Sequence, residues 1–240
     1  MFTERRFMIT VEISKLNLKP DDVVLDAGCG LGRHLRHLAR LPGLKIYGID
    51  RNTWALTETS KSMESQPDAV SKDYLMSVAD INKLPFADAS FDCIICSEVL
   101  EHIPDHQKAI RELDRILKPN GTLVVSVPRF FAERICWLIS HAYHNEEGGH
   151  IRIYRKKQLY RMLTGQGFQC WKINYKHALH SPYWWLKCMV GIKNEEHPLV
   201  RAYRKFLEWD IMKKPRSVRM LEDLLNPLMG KSIVYYLKKG

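Results

Sequence analysis

The residues with the clearest chemistry lie in the stretch VVLDAGCGLGRH, residues 23–34. An acid, Asp26, precedes three closely spaced glycines, Gly28, Gly30 and Gly32. Such glycines adopt backbone angles closed to other residues and let a ligand lie against the main chain. A carboxylate near a phosphate costs on the order of 4 kcal/mol at a partly buried site. Asp26 therefore argues against a phosphate cradle and favours a ligand that carries an ammonium or a sulfonium.

Two further acids, Asp50 and Asp80, close the apolar segments IYGID and YLMSVAD. Asp50 lies 18 residues beyond Gly32, where a carboxylate can hold both hydroxyls of a ribose. Asp80, or the backbone after it, could meet the edge of an adenine. Each acid alone could instead cap the helix or loop that follows it. Together with the glycines, the three acids predict a nucleoside cofactor that carries positive charge.

Arg33 separates this loop from the dinucleotide-binding fingerprint. That fingerprint, G-x-G-x-x-G, requires a small residue at position 33, whereas the chain has the spacing G-x-G-x-G. Arg33 and Asp26 therefore disfavour an NAD-dependent oxidoreductase.

Two histidines are the candidates for a general base. His102 lies in SEVLEHI and His150 in GGHIRIY, and imidazole titrates near neutrality. A transfer reaction needs such a base only when the acceptor atom carries a proton. As alternatives, His102 could hydrogen-bond a loop or helix end, and His150 could anchor a lid. We predict His102 and His150 as catalytic residues, with these structural roles left open.

No metal site is predicted. Glu98 and Glu101 beside His102 could hold a divalent ion, but Pro104 spoils the helical spacing between His102 and His106.

Two cysteines, Cys93 and Cys96, form a C-x-x-C within the strand-like run FDCIICS. Because no second pair completes a metal site, we interpret both cysteines as small buried apolar residues.

Short apolar runs alternate with helical patterns through Pro128, which predicts a doubly wound α/β fold with a parallel sheet covered on both faces. In such sheets, ligands bind beyond the carboxyl ends of the strands. Apolar periodicity near 3.6 in TERRFMITVEISKLNL also predicts an N-terminal helix that ends at Lys19-Pro20.

The later part of the chain follows a different pattern. We predict one domain, with a core over about 20–128, 150–176 and 231–240, and covering segments over about 129–149 and 177–230. The covering segments are mostly helical in pattern and rich in basic residues, and four of the tryptophans lie there: Trp137, Trp184, Trp185 and Trp209.

Charge divides unevenly along the chain. Residues 1–128 hold 16 Lys and Arg against 18 Asp and Glu, a balance of −2, whereas residues 129–240 hold 21 against 9, a balance of +12. A basic half favours an anionic acceptor, a nucleic acid or an anionic membrane surface, although a solvated basic face without a partner is the alternative. With no signal peptide and no apolar run long enough to span a bilayer, we predict a cytoplasmic protein that can contact membranes peripherally.

Four motifs in order give the chain a family resemblance: VLDAGCGLGRH, IYGID, VADINKLPFADASFDCIICSEVLEHI and ILKPNGTLVVSVP. The chain resembles the class I S-adenosylmethionine-dependent methyltransferases, especially the group that includes quinone-biosynthesis and other small-molecule methyltransferases. The resemblance covers about residues 20–128 and extends more loosely to GHIRIYRKKQLYRMLTGQGF. It implies a Rossmann-like sheet of seven strands whose last strand is antiparallel, a role that SIVYYLKK would fill.

The resemblance also implies S-adenosyl-L-methionine as cofactor and a role for each matching position. Asp26, Gly28 and Gly30 would lie near the methionine moiety, and Asp50 would bind the ribose hydroxyls. The remaining implied cofactor contacts are Asp80 with Ile81 at the adenine, and Ser97 with Glu98 lining the methyl-donor pocket.

The acceptor is the least constrained part of the prediction. An aromatic and basic cover fits a small or lipid-like acceptor, such as a quinone-like or isoprenoid molecule met at a membrane. An RNA methyltransferase and a non-catalytic cofactor-binding regulator are the alternatives. The motif CSEVLEH, which lacks the N/D-P-P-Y/F of many nucleobase methyltransferases, and the lack of a recognisable RNA-binding module disfavour nucleic acid.

Overall fold

The core is a seven-stranded sheet, seen in a computed structural model that describes residues 8–146, 148–213 and 215–240. Its strands run in the order β3-β2-β1-β4-β5-β7-β6, and β7 is antiparallel to both β5 and β6. The pairs among the first five strands are all parallel. This arrangement confirms the expected Rossmann-like sheet with its last strand antiparallel. The strands are β1 (Val23–Ala27), β2 (Lys45–Asp50), β3 (Tyr74–Val78), β4 (Phe91–Ser97), β5 (Leu117–Pro128), β6 (Phe168–Lys176) and β7 (Ser232–Lys239).

Helices cover both faces of the sheet and add a separate layer late in the chain. Three helices connect the first five strands: α1 (Leu35–Leu38), α2 (Thr53–Glu64) and α3 (His106–Ile116). Three lie between β5 and β6: α4 (Phe130–Ile139), α5 (His141–His144) and α6 (Lys156–Thr164). Three lie between β6 and β7: α7 (His180–Val190), α8 (Pro198–Lys213) and α9 (Arg216–Met229). No helix in the described ranges is long and apolar enough to cross a membrane.

Both faces of the central strands are apolar, because successive side chains point to opposite faces. Along β4, Ile94 and Cys96 pack in one core cluster, whereas Cys93 and Ile95 pack in the cluster on the other face. Cys93 and Cys96 are therefore buried on opposite sides of the sheet. Their C-x-x-C spacing is a consequence of strand composition, as the sequence interpretation expected.

The helical cover has small apolar clusters of its own. Trp184 packs with residues of α7 and α8 and also with Tyr143. Trp185 donates its indole N–H to the carbonyl oxygen of Ala132, 3.0 Å away. Trp209, by contrast, is 47% exposed. Most cover aromatics therefore hold the cover together, and part of it remains open to solvent.

The prediction of an N-terminal helix is wrong, because the described residues of that segment form no α-helix. Residues 3–7 of the predicted segment lie outside the described part of the chain, and beyond them only a 3-10 turn forms, at Ile13–Lys15. Tertiary contacts explain the difference. The backbone N–H of Glu12 donates to Tyr236 Oη at 3.0 Å, and the Glu12 carboxylate accepts from Asn174 at 2.7 Å. These contacts hold the segment against β6 and β7 in a non-helical conformation, and they override its helical apolar periodicity.

Candidate active site

In the glycine loop after β1, side chains pack closely against the first and third glycines, and the space beside the second is open. Gly28, Gly30 and Gly32 all have positive φ, at 79°, 51° and 70°. A Cβ at Gly28 would lie 2.4 Å from Val99, and one at Gly32 would lie 2.3 Å from Thr59. A Cβ at Gly30 would meet nothing within 4 Å. The loop is thus packed at both ends and leaves open space at Gly30, where a ligand can approach the backbone.

Asp50, at the end of β2, ties this loop to the next connection. Its Oδ2 accepts the backbone N–H of Gly30 and its Oδ1 accepts that of Asn52, each at 2.8 Å. A carboxylate oxygen can accept a second hydrogen bond. Asp50 therefore caps the connection that follows β2, the alternative left open for it above. Its carboxylate oxygens can still accept hydrogen bonds from ribose hydroxyls.

Asp26, at the end of β1, is buried without full compensation. It is 1% exposed, and its Oδ2 has no hydrogen-bond partner among the described residues. The nearest cation candidate is His34, whose Nδ1 lies 3.7 Å away. Burial lowers the pKa of His34 and outweighs the opposing effect of Asp26. Because His34 is then neutral, the unpaired oxygen fits a ligand that brings an N–H donor or a positive charge.

The third predicted acid lies on the same edge of the sheet, beyond β3. Asp80 is exposed, and its Oδ1 accepts the backbone N–H of Asn82 at 2.9 Å. The side chain of Ile81 is buried in the main core. Ile81 can therefore contact a ligand through its backbone, whereas Asp80 can contact one through its carboxylate.

A chain of hydrogen bonds joins the loop to the ends of β4 and β5. Arg33 donates to Ser97 Oγ at 3.0 Å, Ser97 Oγ lies 2.7 Å from Ser126 Oγ, and Ser126 donates to Glu98 Oε1 at 3.0 Å. Glu98 has a left-handed φ of 59°, which turns the chain out of β4. Ser97 and Glu98 thus lie at the end of β4 and are linked to the glycine loop, and their contact with the methyl donor stays a prediction. Arg33, which served only to exclude a dinucleotide site, is a structural part of the site that the sequence interpretation missed.

The two predicted catalytic histidines meet. The ring centroids of His102 and His150 are 5.0 Å apart, and both residues line a cavity of about 230 Å³ with Gly149. His102 Nδ1 lies 3.0 Å from the carbonyl oxygen of Gly149 and donates to it. His150 Nδ1 lies 2.5 Å from Oε1 of Glu133. Each ring is therefore oriented through Nδ1, and the loop-binding role left open for His102 is present.

Glu133 is a site residue that the sequence interpretation missed. It is 1% exposed in α4, and Tyr143 donates to its Oε2 at 3.4 Å. Burial raises the pKa of Glu133, but the hydrogen bond from His150 and the charge of Lys231, 4.0 Å away, outweigh burial and leave this pKa lowered. The sequence signal was a lone acid within the apolar run FFAERICWLI. A buried carboxylate on a histidine fixes which ring nitrogen carries the proton.

Glu101 adds a second buried carboxyl next to the histidine pair. It is fully buried, neither oxygen has a hydrogen-bond partner in the described ranges, and burial raises its pKa well above the ordinary value. Ligand atoms of Glu101, His102 and His150 lie within 4.8 Å of one another. This geometry could hold a metal ion, so the sequence expectation of no metal site stays a prediction.

Comparisons with known proteins agree with this geometry. The methyltransferase domain family matches the chain over residues 5–173. A 2-methyl-6-phytyl-1,4-hydroquinone methyltransferase of Synechocystis is 37% identical over 109 residues, which is 45% of this chain and 33% of that protein. Cycloartenol-C-24-methyltransferase 1 of rice, Oryza sativa, is 30% identical over 139 residues, 58% of this chain and 37% of that protein. The chain thus spans about a third of the length of these relatives.

A solved S-adenosylmethionine-dependent methyltransferase from Methanosarcina mazei has the same fold. It superposes with a TM-score of 0.63 at 19% identity and covers 97% of this chain and 99% of that one. At this identity the likeness concerns the fold alone. The family match over most of the chain, the seven-stranded sheet and the glycine loop with its acids lead to one conclusion: the chain belongs to the methyltransferase domain family, the class I S-adenosylmethionine-dependent methyltransferases.

Proposed function

We propose that the protein transfers the methyl group of S-adenosylmethionine to a small, lipid-like acceptor at an anionic membrane surface. The observation that carries the cofactor part is the unpaired buried oxygen of Asp26 beside the opening at Gly30. A cationic amino-acid moiety lying on this loop would give the oxygen the partner that it lacks. A phosphate would instead meet an uncompensated negative charge.

Each strand end has one task in the cofactor site. Asp26 with Gly28 and Gly30 would hold the methionine moiety. Asp50 would hold the ribose, and its two bonds to the backbone would keep the loop in place. The adenine would lie by Asp80 and the backbone of Ile81, with Ser97 and Glu98 at the methyl-donor pocket. When bound, the cofactor supplies an electrophilic methyl group on a sulfonium.

Proton handling is assigned to His150. Its Nδ1–H donates to Glu133, which leaves Nε2 as the ring nitrogen that can accept a proton from the acceptor. Glu133 then faces the imidazolium and stabilises it. His102, which holds the loop at Gly149, shapes the other wall of the same cavity. The remaining task of the chain is to align acceptor and methyl group and to exclude water.

The surface of the helical cover supports a lipid-like acceptor. Large apolar side chains stand in solvent on α8 and α9: Met212, Met220, Leu224 and Leu228 are each about 70% exposed. Basic residues flank them on the same two helices, among them Arg201, Lys205, Lys213 and Arg216. Exposed apolar residues bordered by Lys and Arg are typical of helices that lie on anionic membranes. The two relatives, named for 2-methyl-6-phytyl-1,4-hydroquinone and cycloartenol, support the same acceptor class.

The first experiment asks where the methyl group goes. The protein is incubated with methyl-labelled S-adenosylmethionine and cell extract, and label is measured in lipid, RNA, protein and water-soluble small-molecule fractions. We expect label in the lipid fraction, and less of it with the Asp50→Ala variant when the cofactor is limiting. Label in RNA would replace the proposed acceptor by a nucleic acid. Binding of the cofactor without any incorporation would favour a regulatory protein.

A second experiment tests the cofactor itself. Calorimetry should detect binding of S-adenosylmethionine and none of NAD. Tight binding of NAD without binding of S-adenosylmethionine would overturn the proposed function.

A further inference from the structure

A second group of ligating side chains lies beyond the carboxyl end of β6, under the helical cover. His177 directly follows β6, His180 begins α7, and Glu222 lies in α9. All three are buried, and one ligand atom from each lies within 4.8 Å of those of the other two. Three separate elements thus bring two imidazoles and a carboxylate to one point. The proposed methyl-transfer chemistry uses none of them.

His180 is the member of the group whose surroundings lack a partner. It is 4% exposed, and neither Nδ1 nor Nε2 has a hydrogen-bond partner in the part of the chain that the structure describes. An unsatisfied buried polar group costs about 1–3 kcal/mol. Its ring is packed edge-to-face against that of His177, with centroids 5.5 Å apart. A ligand between the two rings and Glu222 would satisfy His180 without moving the backbone.

The backbone around the histidines is fastened to the covering helices. Asn226 accepts the N–H of Ala178 at 3.0 Å, and Ser181 donates to the carbonyl oxygen of Met229 at 2.7 Å. Tyr203 donates to the carbonyl oxygen of Leu179 at 3.0 Å. These bonds fix residues 177–181 against α8 and α9. The backbone that carries both histidines is therefore held in place before any ligand binds, as a binding site requires.

Glu222 is oriented by its own partner. Nη1 of Arg219 lies 2.8 Å from Oε2 of Glu222 in an ion pair, and Arg219 forms a second ion pair with the buried Asp210. Carboxylate ligands of metals commonly have an outer partner of this kind that sets their direction. Because Asp210 also pairs with Arg219, Glu222 is not the sole counter-charge of Arg219. Glu222 can therefore contact a metal ion as well.

We propose that His177, His180 and Glu222 bind one zinc-type divalent ion. Two imidazoles and one carboxylate are an established ligand set for zinc, with a water in the fourth position. Bond lengths of roughly 2.0–2.2 Å place tetrahedral donors about 3.4 Å apart, so the group closes by rotamer shifts of about 1 Å. The ion would join the end of β6 to α7 and α9. It would thereby fix the cover that bears the proposed acceptor surface.

The test uses the full-length protein, freed of metal and titrated with Zn²⁺ against a chromophoric chelator. We expect one zinc ion per chain that is lost in two variants, His180→Ala and Glu222→Gln, with affinity at least about 100-fold weaker. Glu222→Gln keeps a group that can bond to Arg219, so it decides the matter if His180→Ala does not fold. The matched control is His102→Ala, which disturbs the other histidine group and should leave this zinc bound. Zinc should also raise the unfolding midpoint of the wild type but not that of the two variants.

Two results would overturn the proposal. One is a wild-type protein that takes up no stoichiometric zinc, and the other is unchanged zinc affinity in a folded Glu222→Gln variant. Loss of zinc in His102→Ala but not in Glu222→Gln would move the site to the active-site histidines and equally refute it. Binding of S-adenosylmethionine is measured on His180→Ala and Glu222→Gln and should be unchanged in both. Failure of the zinc site is therefore separable from failure of the proposed function.

Discussion

Asp50 joins two tasks in one side chain, because the carboxylate that should bind ribose also holds the backbone of Gly30 and Asn52. We expect Asp50→Ala to weaken binding of S-adenosylmethionine by roughly 1–3 kcal/mol, through lost hydrogen bonds to a charged group. Calorimetry measures the change. Asp68→Ala removes an exposed acid beyond the end of α2 and serves as the control. Equal affinity of wild type and Asp50→Ala would remove Asp50 from the site.

Glu133 acts on the reaction through His150. Replacing the base by His150→Ala should lower kcat by about 100-fold or more, the contribution of a positioned base. Glu133→Gln keeps the shape but removes the charge that faces the imidazolium, so kcat should fall while KM for S-adenosylmethionine stays the same. Methyl transfer to the labelled acceptor fraction gives both constants, with Glu64→Gln on α2 as control. A rise in KM with unchanged kcat would assign Glu133 to binding instead.

The buried pair of His34 and Asp26 makes stability depend on pH. Burial lowers the pKa of His34 in the folded protein. Below the ordinary histidine value near 6.5, the unfolded chain therefore binds a proton that the folded chain does not. The free energy of unfolding should fall as pH drops, with this residue contributing at most about 1.4 kcal/mol per pH unit.

Urea unfolding at neutral pH and at about pH 5 checks this, because the unfolded histidine is charged only at the lower value. In His34→Gln the decrease should be shallower, although other buried histidines keep part of it. Parallel pH profiles for wild type and variant would show that His34 takes up its proton in the folded state as well.

The sequence predicted which acids lie at strand ends, but it did not predict contacts between residues that are distant in the chain. Asp26, Asp50 and Asp80 each end or follow a strand, so the period of the apolar runs brought them to one edge of the sheet. The contact of Glu133 with His150 joins α4 to a loop 17 residues later, and no local pattern contains that pairing. Whether each predicted side chain binds the cofactor remains a prediction that the variants above test.

Two glycines of the same loop are expected to differ in role: Gly32 matters for stability, and Gly30 matters for cofactor binding. Gly32→Ala would bring a Cβ to 2.3 Å from Thr59, a fully buried β-branched residue, in addition to its strained φ. Overpacking of this kind costs about 1–3 kcal/mol. Gly30→Ala meets open space, so it should cost only the left-handed strain, about 1–2 kcal/mol, but should obstruct the ligand.

Denaturant unfolding and calorimetry on the two variants separate these effects. Gly32→Ala should lose more stability than Gly30→Ala, whereas Gly30→Ala should lose more cofactor affinity for each kcal/mol of stability lost. The reverse ranking would mean that the ligand does not lie over Gly30.

Elements with strong local patterns followed the sequence closely. The strand-like run FDCIICS forms β4 and the run SIVYYLKK forms β7, each over the same residues. The N-terminal segment failed because its contacts to Tyr236 and Asn174 come from strands more than 160 residues away. The order of strands in the sheet also depends on pairing between segments that are distant in the chain, so local patterns do not determine it.

At the level of the whole molecule, the proposed membrane contact depends on α8 and α9 together. The double variant Leu224→Asp/Leu228→Asp places two charges among the exposed apolar residues of α9. We expect the wild type to sediment with anionic vesicles more than with neutral ones, and the double variant to lose most of that binding. Val70→Asp alters another exposed apolar residue, after α2, and this variant should bind as the wild type does. Equal sedimentation with both vesicle types would refute an electrostatic membrane contact.

The position of β7 between β5 and β6 governs the order in which the protein can be completed. During synthesis, β5 emerges with one edge unpaired, and the strand that covers that edge is made only after residues 129–231. An open strand edge is a template for pairing with other chains. The nascent protein must therefore shield that edge while its entire helical cover is being translated, which makes the interval before β7 appears the period of greatest exposure to aggregation.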